Sequence, residues 1–464
     1  MTSILNMLDS TKQTLAAQQF ALAVSQRNIA NVNNNAYTRM EIVFTDSVRA
    51  GDWTAFGIPG VNVLANRNQY LDHGISRELP ELGESNVKYG ALNEIEIVLN
   101  SASGAGLDGA MSKFFSSFSL LSGDPTDLNL RQQTLTSANA LAREFQRVYE
   151  GIQRVQTSAE QNVKTGVDDV NALTAKIAEI NGRIEAARRN HSDDEFSLRD
   201  ERQLQLENLS TLMNISWFET ESGSVTVTTE QGKALVLGNA NYDLQIGPMA
   251  GGPFSGIMLG GENITSMVTS GTLGGYIELR DVMIPGYLET LDNMAAGIIS
   301  RVNDVHAQGS DLDGAAGGAF FTPFIPITPG SNTGAARTMS VALTDPRGVA
   351  AAESGAEAGN NKNAKALAAI SEEMIFPGSS LTASRMYASL VYRVGADERS
   401  AMDAFSLQKN AVDQLRNRRE SMFGVDLNEE AVNVLKYQTA YQAGARMVSV
   451  LDSLTTEILR FVGV

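Results

Sequence analysis

The sequence predicts a mainly α protein with a small β part: an elongated helical bundle with long coiled-coil-like helices, its N- and C-terminal helices pairing, and a small antiparallel β subdomain. Three observations lead there. The eleven prolines lie at 59, 80, 125, 248, 253, 285, 323, 326, 329, 346 and 377. Stretches 1–58, 126–247 and 378–464 therefore lack the residue that breaks helix interiors. Within them apolar residues recur at three-, four- and seven-residue steps. Only 214–280 changes to a period of two.

The elements follow in order. Leu8, Leu15, Leu22 and Ile29 fall at sevens, with Ala16, Ala17 and Ala23 close by. This predicts an amphipathic N-terminal helix of about 25 residues with a seam for a partner helix. Helices are expected at 86–100 and 108–121. Ala138, Leu141, Phe145, Val148, Ile152 and Val155, then Val163, Val170, Leu173, Ile177, Ile180 and Ile184, predict a helix over 128–189 with a break near Gly166. At 1.5 Å per residue it would span roughly 90 Å. His191-Ser192-Asp193-Asp194 punctuates, and a helix follows near 195–213.

Glu221–Ser224 is a turn signal, Ser224–Thr229 alternates, and Ala234–Leu237 follows Gln231-Gly232. These predict a hairpin and small sheet. Leu288, Leu291, Ala295, Ile298, Val302 and Val305 predict a helix over 281–308, and another is expected at 381–420. Residues 309–363, rich in Gly, Ala, Asn and Pro, read as an irregular excursion. At the end, Ala440, Gly444, Met447, Leu451, Leu454, Ile458 and Phe461 step 4,3,4,3,4,3, and Val434, Tyr441 and Val448 make a second apolar line beside them. A helix apolar on two faces needs more than one neighbour, part of it from another chain.

Composition removes most chemistry. The 464 residues suggest about three domains. The net charge of −17 argues against a nucleic-acid partner. Absence of cysteine excludes disulfides, thiolate metal sites and cysteine nucleophiles, and His73, His191 and His306 are the whole histidine supply. No apolar run is long enough for membrane insertion, and the first residues do not read as a secretory signal. With 43% hydrophobic residues a sizeable core is still available.

Gly104–Gly109 matches G-x-G-x-x-G, but Val87, Ala91, Ile95, Val98 and Leu99 before it have helical spacing, so it reads as a helix–helix loop rather than a dinucleotide site. Asp311-Leu312-Asp313-Gly314 begins like a calcium loop, yet Ala315 and Thr322 occupy later ligand places, so a turn is expected. His191, Asp193, Asp194 and Glu195 read as solvated residues and a helix cap rather than metal ligands. No catalytic, cofactor or metal residue is assigned. Asn28-Ile29-Ala30-Asn31-Val32-Asn33-Asn34-Asn35-Ala36-Tyr37-Thr38-Arg39 stands out. Its asparagines suit a helix stop, which leaves Tyr37-Thr38-Arg39 unexplained.

This segment resembles the N-terminal signature of the bacterial flagellar axial proteins, the rod, hook and hook-associated proteins: N-[IL]-[AS]-N, a turn, then G-Y-[ST]-R. Ala36 replaces the usual glycine. Gly424–Glu430 and Leu435–Ala443, with Tyr437, Gln438, Ala440, Tyr441, Gln442 and Ala443, resemble the ending of the hook-associated members. Glu195–Arg202 is similar to their L-[LR]-D-[EQ]-R region, and Gly271–Ile277 to their G-x-L-x-G-[LY] segment.

The resemblance implies a non-enzymatic structural adaptor without cofactors that joins flagellar hook to filament as an axial ring. Its implied partners are like subunits, hook protein, a second junction protein or the filament, and a cytoplasmic export chaperone at the C-terminal segment. It implies an extracellular flagellar location reached by type III export without a cleaved signal. The division then expected is a terminal helical polymerisation domain (1–45 and 412–464), a helical body (46–213 and 281–411), a β subdomain (214–280) and a reduced outer domain (309–363), where larger relatives insert a β domain. A hook or rod protein, and a phage-tail or other coiled-coil fibre protein, are the alternative readings. An inserted hydrolase is disfavoured because 309–363 is too short for a catalytic domain.

The charge is uneven. Residues 1–49 hold four basic and three acidic residues, and 405–464 hold seven of each, so the intervening body carries −18. Near-neutral arms can pack side by side, while an acidic body resists casual association.

Overall fold

A computed structural model describes residues 2–32, 37–47, 58–65, 67–100, 106–190, 194–249, 252–376 and 380–462. In chain order, α1 (Thr2–Ala30) leads to a hairpin of β1 (Met40–Ser47) and β2 (Ile58–Ala65). Helices α2 (Gln69–Leu99), α3 (Leu107–Gly123), α4 (Leu128–Arg189) and α5 (Asp194–Leu212) follow. Strands β3 (Ile215–Glu219), β4 (Val225–Thr229), β5 (Ala234–Leu237) and β6 (Ala240–Asn241) form one antiparallel sheet, with β3 at its edge. Strands β7 (Leu244–Pro248), β8 (Ser255–Leu259) and β9 (Glu262–Asn263) form another. Then come α6 (Gly271–Glu278), α7 (Ile284–His306), β10 (Gly309–Ser310), a short α8 (Ala335–Thr338), β11 (Ala352–Glu353), α9 (Lys362–Ala369), α10 (Ala383–Phe423) and α11 (Leu427–Val462). Helices make up most of the described residues, so the mainly α expectation holds.

The spine is α4. Asp127 caps its first turn by accepting from the Asn129 amide, and Arg188 and Arg189 complement the negative end of its dipole. Its first half, from Leu135 to Val155, is buried among α2, α3, α7 and α10. Its second half, from Val163 to Ala178, is buried under α5, α6 and the two sheets. One helix thus joins two cores. The helix does not break at Gly166: that glycine leaves room for Leu273 of α6, which would lie 2.6 Å from an added Cβ.

Other expectations need correction. Helix α2 begins at Gln69, not 86, and carries Pro80 in its interior. The helix expected over 281–308 begins earlier, as α6, and passes into α7 through a π turn at Leu279–Met283. The carbonyl of Arg280 in that turn accepts from Gln156 Nε2 (2.8 Å), so the disturbed ladder is partly repaired by a neighbouring helix. The divisions expected at 45 and 412 fall inside β1 and α10. Helix α10 keeps packing past 412 because Val412 is buried with Ile75 and Leu79 of α2.

Segment 309–363 is irregular, as its composition suggests, but it is not an outward excursion. Phe320, Phe321, Ala335, Ala336, Met339, Val349 and Ala351 are fully buried in the first core. Polar side chains on the helices hold its backbone. Asn303 Oδ1 accepts from Phe320 and Phe321 amides, and its Nδ2 donates to the Phe321 carbonyl. His306 Nε2 accepts from Ala350 N (2.8 Å), which leaves Nδ1–H to donate to Gly318 O (2.7 Å). Arg131 Nη1 donates to Val349 O (2.6 Å). Helical ligands for backbone amides replace a sheet ladder, which composition does not reveal.

Candidate functional site

The motif residues converge where α1 ends. Asn28 is buried and works as a two-way clamp: its Nδ2 donates to Met40 O (2.9 Å), and its Oδ1 accepts from Met40 N (3.1 Å) and from Tyr37 Oη (2.8 Å). An asparagine side chain thereby pairs with the start of β1 as another strand would, fixing the exit of the chain from the helix. Asn31 Nδ2 donates to Arg27 O (2.9 Å) and Ile29 is half-buried, while Ala30 is exposed. Residues 33–36 lie outside the described residues.

Thr38 and Arg39 reach further. The Thr38 amide and hydroxyl both donate to the Asp200 carboxylate of α5 (3.1 and 2.9 Å). Arg39 Nε pairs with Glu430 (2.8 Å) and its Nη1 with Glu429 (2.8 Å), both on α11, and its amide donates to Phe423 O at the end of α10. Tyr37-Thr38-Arg39 therefore ties α1, α5, α10 and α11 at one joint. Three of the sequence signatures, near 28–39, 195–202 and 424–430, meet at that joint.

Beneath it lies a charge cluster that sequence reasoning missed. Arg67 pairs with Asp72 (2.6 Å), and Arg419 bridges Asp72 (3.2 Å) and Glu207 (2.7 Å), linking α2, α5 and α10. Asp72, Glu207 and Arg419 lie on three different helices, so no spacing signal announces the cluster. Burial pushes the Asp200 carboxyl up to about 6 despite the bonds from Thr38 and the nearby Arg67. Burial likewise raises the Tyr37 hydroxyl far above its usual range.

Above the joint, α1 and α11 pack along one another. The buried face of α1 is Ala17, Ala21, Val24, Ser25 and Asn28, whereas Leu8, Leu15, Leu22 and Ile29 are half-buried beside it. The seam thus runs along the small residues next to the expected heptad, because small side chains let two helices approach closely. Gly444 shows the same closeness: an added Cβ would meet Leu15 at 2.9 Å. On α11 the inward line is Tyr437, Tyr441, Gly444, Val448, Leu451, Thr455 and Ile458, with Ala440 alongside. Tyr441 Oη accepts from Gln19 Nε2 (3.1 Å), and Tyr437 meets Phe44 of β1 edge-on. Met447 and Leu454, expected in the seam, face out, as do Gln438, Gln442 and Ala443. Met447 and Leu454, with Val432, Leu435 and Val450, give α11 an exposed apolar stripe.

The other candidates resolve simply. The element before the G-x-G-x-x-G run is a helix, and Gly106 precedes the first turn of α3; Gly104 and Ala105 lie outside the described residues. Asp311 Oδ1 accepts from the Asp313 and Ala315 amides, a turn. His191–Asp193 lie outside the described residues. The glycines of 271–275 serve close packing: Gly271 adopts φ +80°, and an added Cβ would lie 2.4 Å from Leu212 O, while Gly275 lies against Val87 and Glu84 of α2.

Residues 92–321 match the family model described as flagellar hook-associated protein FlgK helical domain. Flagellar hook-associated protein 1 of Bacillus subtilis (strain 168) is 28% identical, covering 100% of this chain and 99% of its own. Its counterpart in Escherichia coli (strain K12) is 22% identical over 97% of this chain and 98% of its own. The solved structure of the flagellar hook junction protein FlgK from Burkholderia pseudomallei superposes with a TM-score of 0.66 at 16% identity, covering 76% of this chain and all of that one, a likeness of fold.

Proposed function

We propose, from the premise that this chain belongs to the family of flagellar hook-associated protein 1, that it is the structural adaptor joining the flagellar hook to the filament. Its relatives are structural flagellar proteins, and we read this chain as non-enzymatic. The observation that carries the reading is the match to a flagellar hook-associated protein 1 over the full length of this chain, terminal helices included.

The arms suit the role. Helices α1 and α11 would form the polymerisation domain, with the seam residues Ala17, Ala21, Val24, Gly444 and Leu451 holding the pair together within a subunit. The outward stripe of Val432, Leu435, Met447, Val450 and Leu454 would meet neighbouring subunits, hook protein, and a second junction protein or the filament. The joint at Thr38, Arg39, Asp200 and Glu430 would hold those arms at a fixed angle to the body. Before assembly, the same apolar stripe would be covered by a cytoplasmic export chaperone, and the chain would pass through the type III apparatus without a cleaved signal.

Deleting 427–464 removes α11 and tests the reading. Cells carrying the deletion are expected to make hooks without attached filaments, seen by electron microscopy. Filament-bearing cells would refute it.

A further inference from the structure

One stretch of surface has no part in the arms or the joint. Residues 315–336 contain no ionisable side chain, within a body of net charge −18. Inside it, Thr322–Pro329 has proline at 323, 326 and 329. Proline fixes its own φ and drives the residue before it from the helical region. Thr322, Pro323, Ile325, Pro326, Thr328 and Pro329 are all restrained in this way, which favours a stiff, extended, polyproline-like backbone.

Both ends of the segment are fastened. The Thr322 amide donates to Ser340 O (2.8 Å) beside fully buried Phe320 and Phe321. Asn332 Nδ2 donates to Asn293 Oδ1 (2.8 Å), and the Gly334 amide to Asp292 (2.8 Å). Between these anchors the segment presents apolar side chains to solvent: Ile325 is 82% exposed and Ile327 96%.

A complementary surface lies elsewhere. A groove of about 650 Å³ runs between the start of α2 and edge strand β3, with Tyr70, His73, Pro80, Ile215 and Trp217 in its walls. The His73 ring stacks on Trp217 with centroids 4.0 Å apart, and Trp217 Nε1 donates to Ser76 Oγ (3.3 Å). Tyr70 is 90% exposed. Aromatic-walled grooves of this kind accept proline-rich segments, whose preformed backbone costs little entropy to dock. Arg77, Glu81 and Glu230 also line the groove, and an uncharged segment meets no like charge there.

The segment cannot fill the groove of its own subunit. Helix α4 serves as the ruler. The segment's base meets α4 at Gln146, which donates to Met339 O, whereas the sheet bearing Trp217 meets it at Asn181, which holds Val225. The distance along the helix is about 50 Å. A loop tied at both 321 and 334 reaches out and back no further than about 20 Å.

We propose that the Pro323–Pro329 segment of one subunit docks in the Tyr70–His73–Trp217 groove of a second copy of this chain. Two different patches meet, so the contact is heterologous and continues into a ring or stack instead of closing as a dimer. The proposal deepens the junction reading and rests on it.

The absence of cysteine provides the test. Ile327→Cys and Tyr70→Cys, at two solvent-facing positions, give the double variant its only thiols. Flagella assembled with it are oxidised and run on a non-reducing gel. A ladder of multimers from the double variant, and monomer from each single variant, is expected. A second pair, Thr328→Cys with His73→Cys, guards against a substitution that blocks assembly. Monomer alone from both pairs overturns the contact, as does a dimer from any single variant, which would mean that like patches meet. A ladder from chain placed elsewhere on the flagellum would keep the contact and refute the junction role. Junction-located chain without a ladder does the reverse.

Discussion

Asp200 concentrates the account at the scale of a residue. Its carboxylate receives two bonds from Thr38, yet burial outweighs them and raises it from 3.8 to about 6. A folded-state pKa above the unfolded one means that this group's contribution is most favourable below pH 4 and is lost as pH rises through 6. The shift corresponds to about 3 kcal/mol. The stability difference between the native chain and Asp200→Asn should therefore move by that order against the native chain between pH 4 and 7. Urea unfolding of both proteins across the range measures it, and a pH-independent difference would remove the titration argument. The Glu195–Arg202 signature was visible in the sequence, but its chemistry was not. Nothing in the spacing tells that a carboxylate on α5 binds the backbone at residue 38.

At the scale of elements, periodicity located the helices well and their faces less well. Helix α4 was legible almost to the residue because twelve apolar positions of one face repeat without a proline. On α1 the leucine heptad drew the eye, while the buried line is Ala17, Ala21, Val24 and Asn28. Hydrophobicity ranks leucine above alanine, but a close helix pair selects for size. Small-residue spacing of 4,3,4 was the available signal. Ala21→Leu tests the consequence. Ala21 is fully buried, so the larger side chain should force α1 from α11 and lower stability by roughly 1–3 kcal/mol. Amide exchange should quicken in α1 and α11 while α4 stays protected; equal exchange in both variants would contradict the close seam. The β1–β2 hairpin went unread, since Pro59 and Gly60 at the start of β2 weaken its strand pattern. The 309–363 segment was misplaced because its order comes from Asn303, His306 and Arg131 on other elements.

At the scale of the whole molecule, the charge map and the fold fit together. The near-neutral arms are the paired helices α1 and α11, with an apolar stripe left facing outward. The acidic body is stiffened by one helix that runs through two cores. A body with two buried cores, a bonded joint and arms that keep apolar side chains exposed suit a part that must meet different neighbours at its two ends. The central claim is the position of this chain between hook and filament. Immunogold labelling of intact flagella with antibody raised against the acidic body measures that position directly. The account predicts gold confined to a narrow band where hook meets filament; gold spread along the filament, along the hook, or absent from flagella would contradict it.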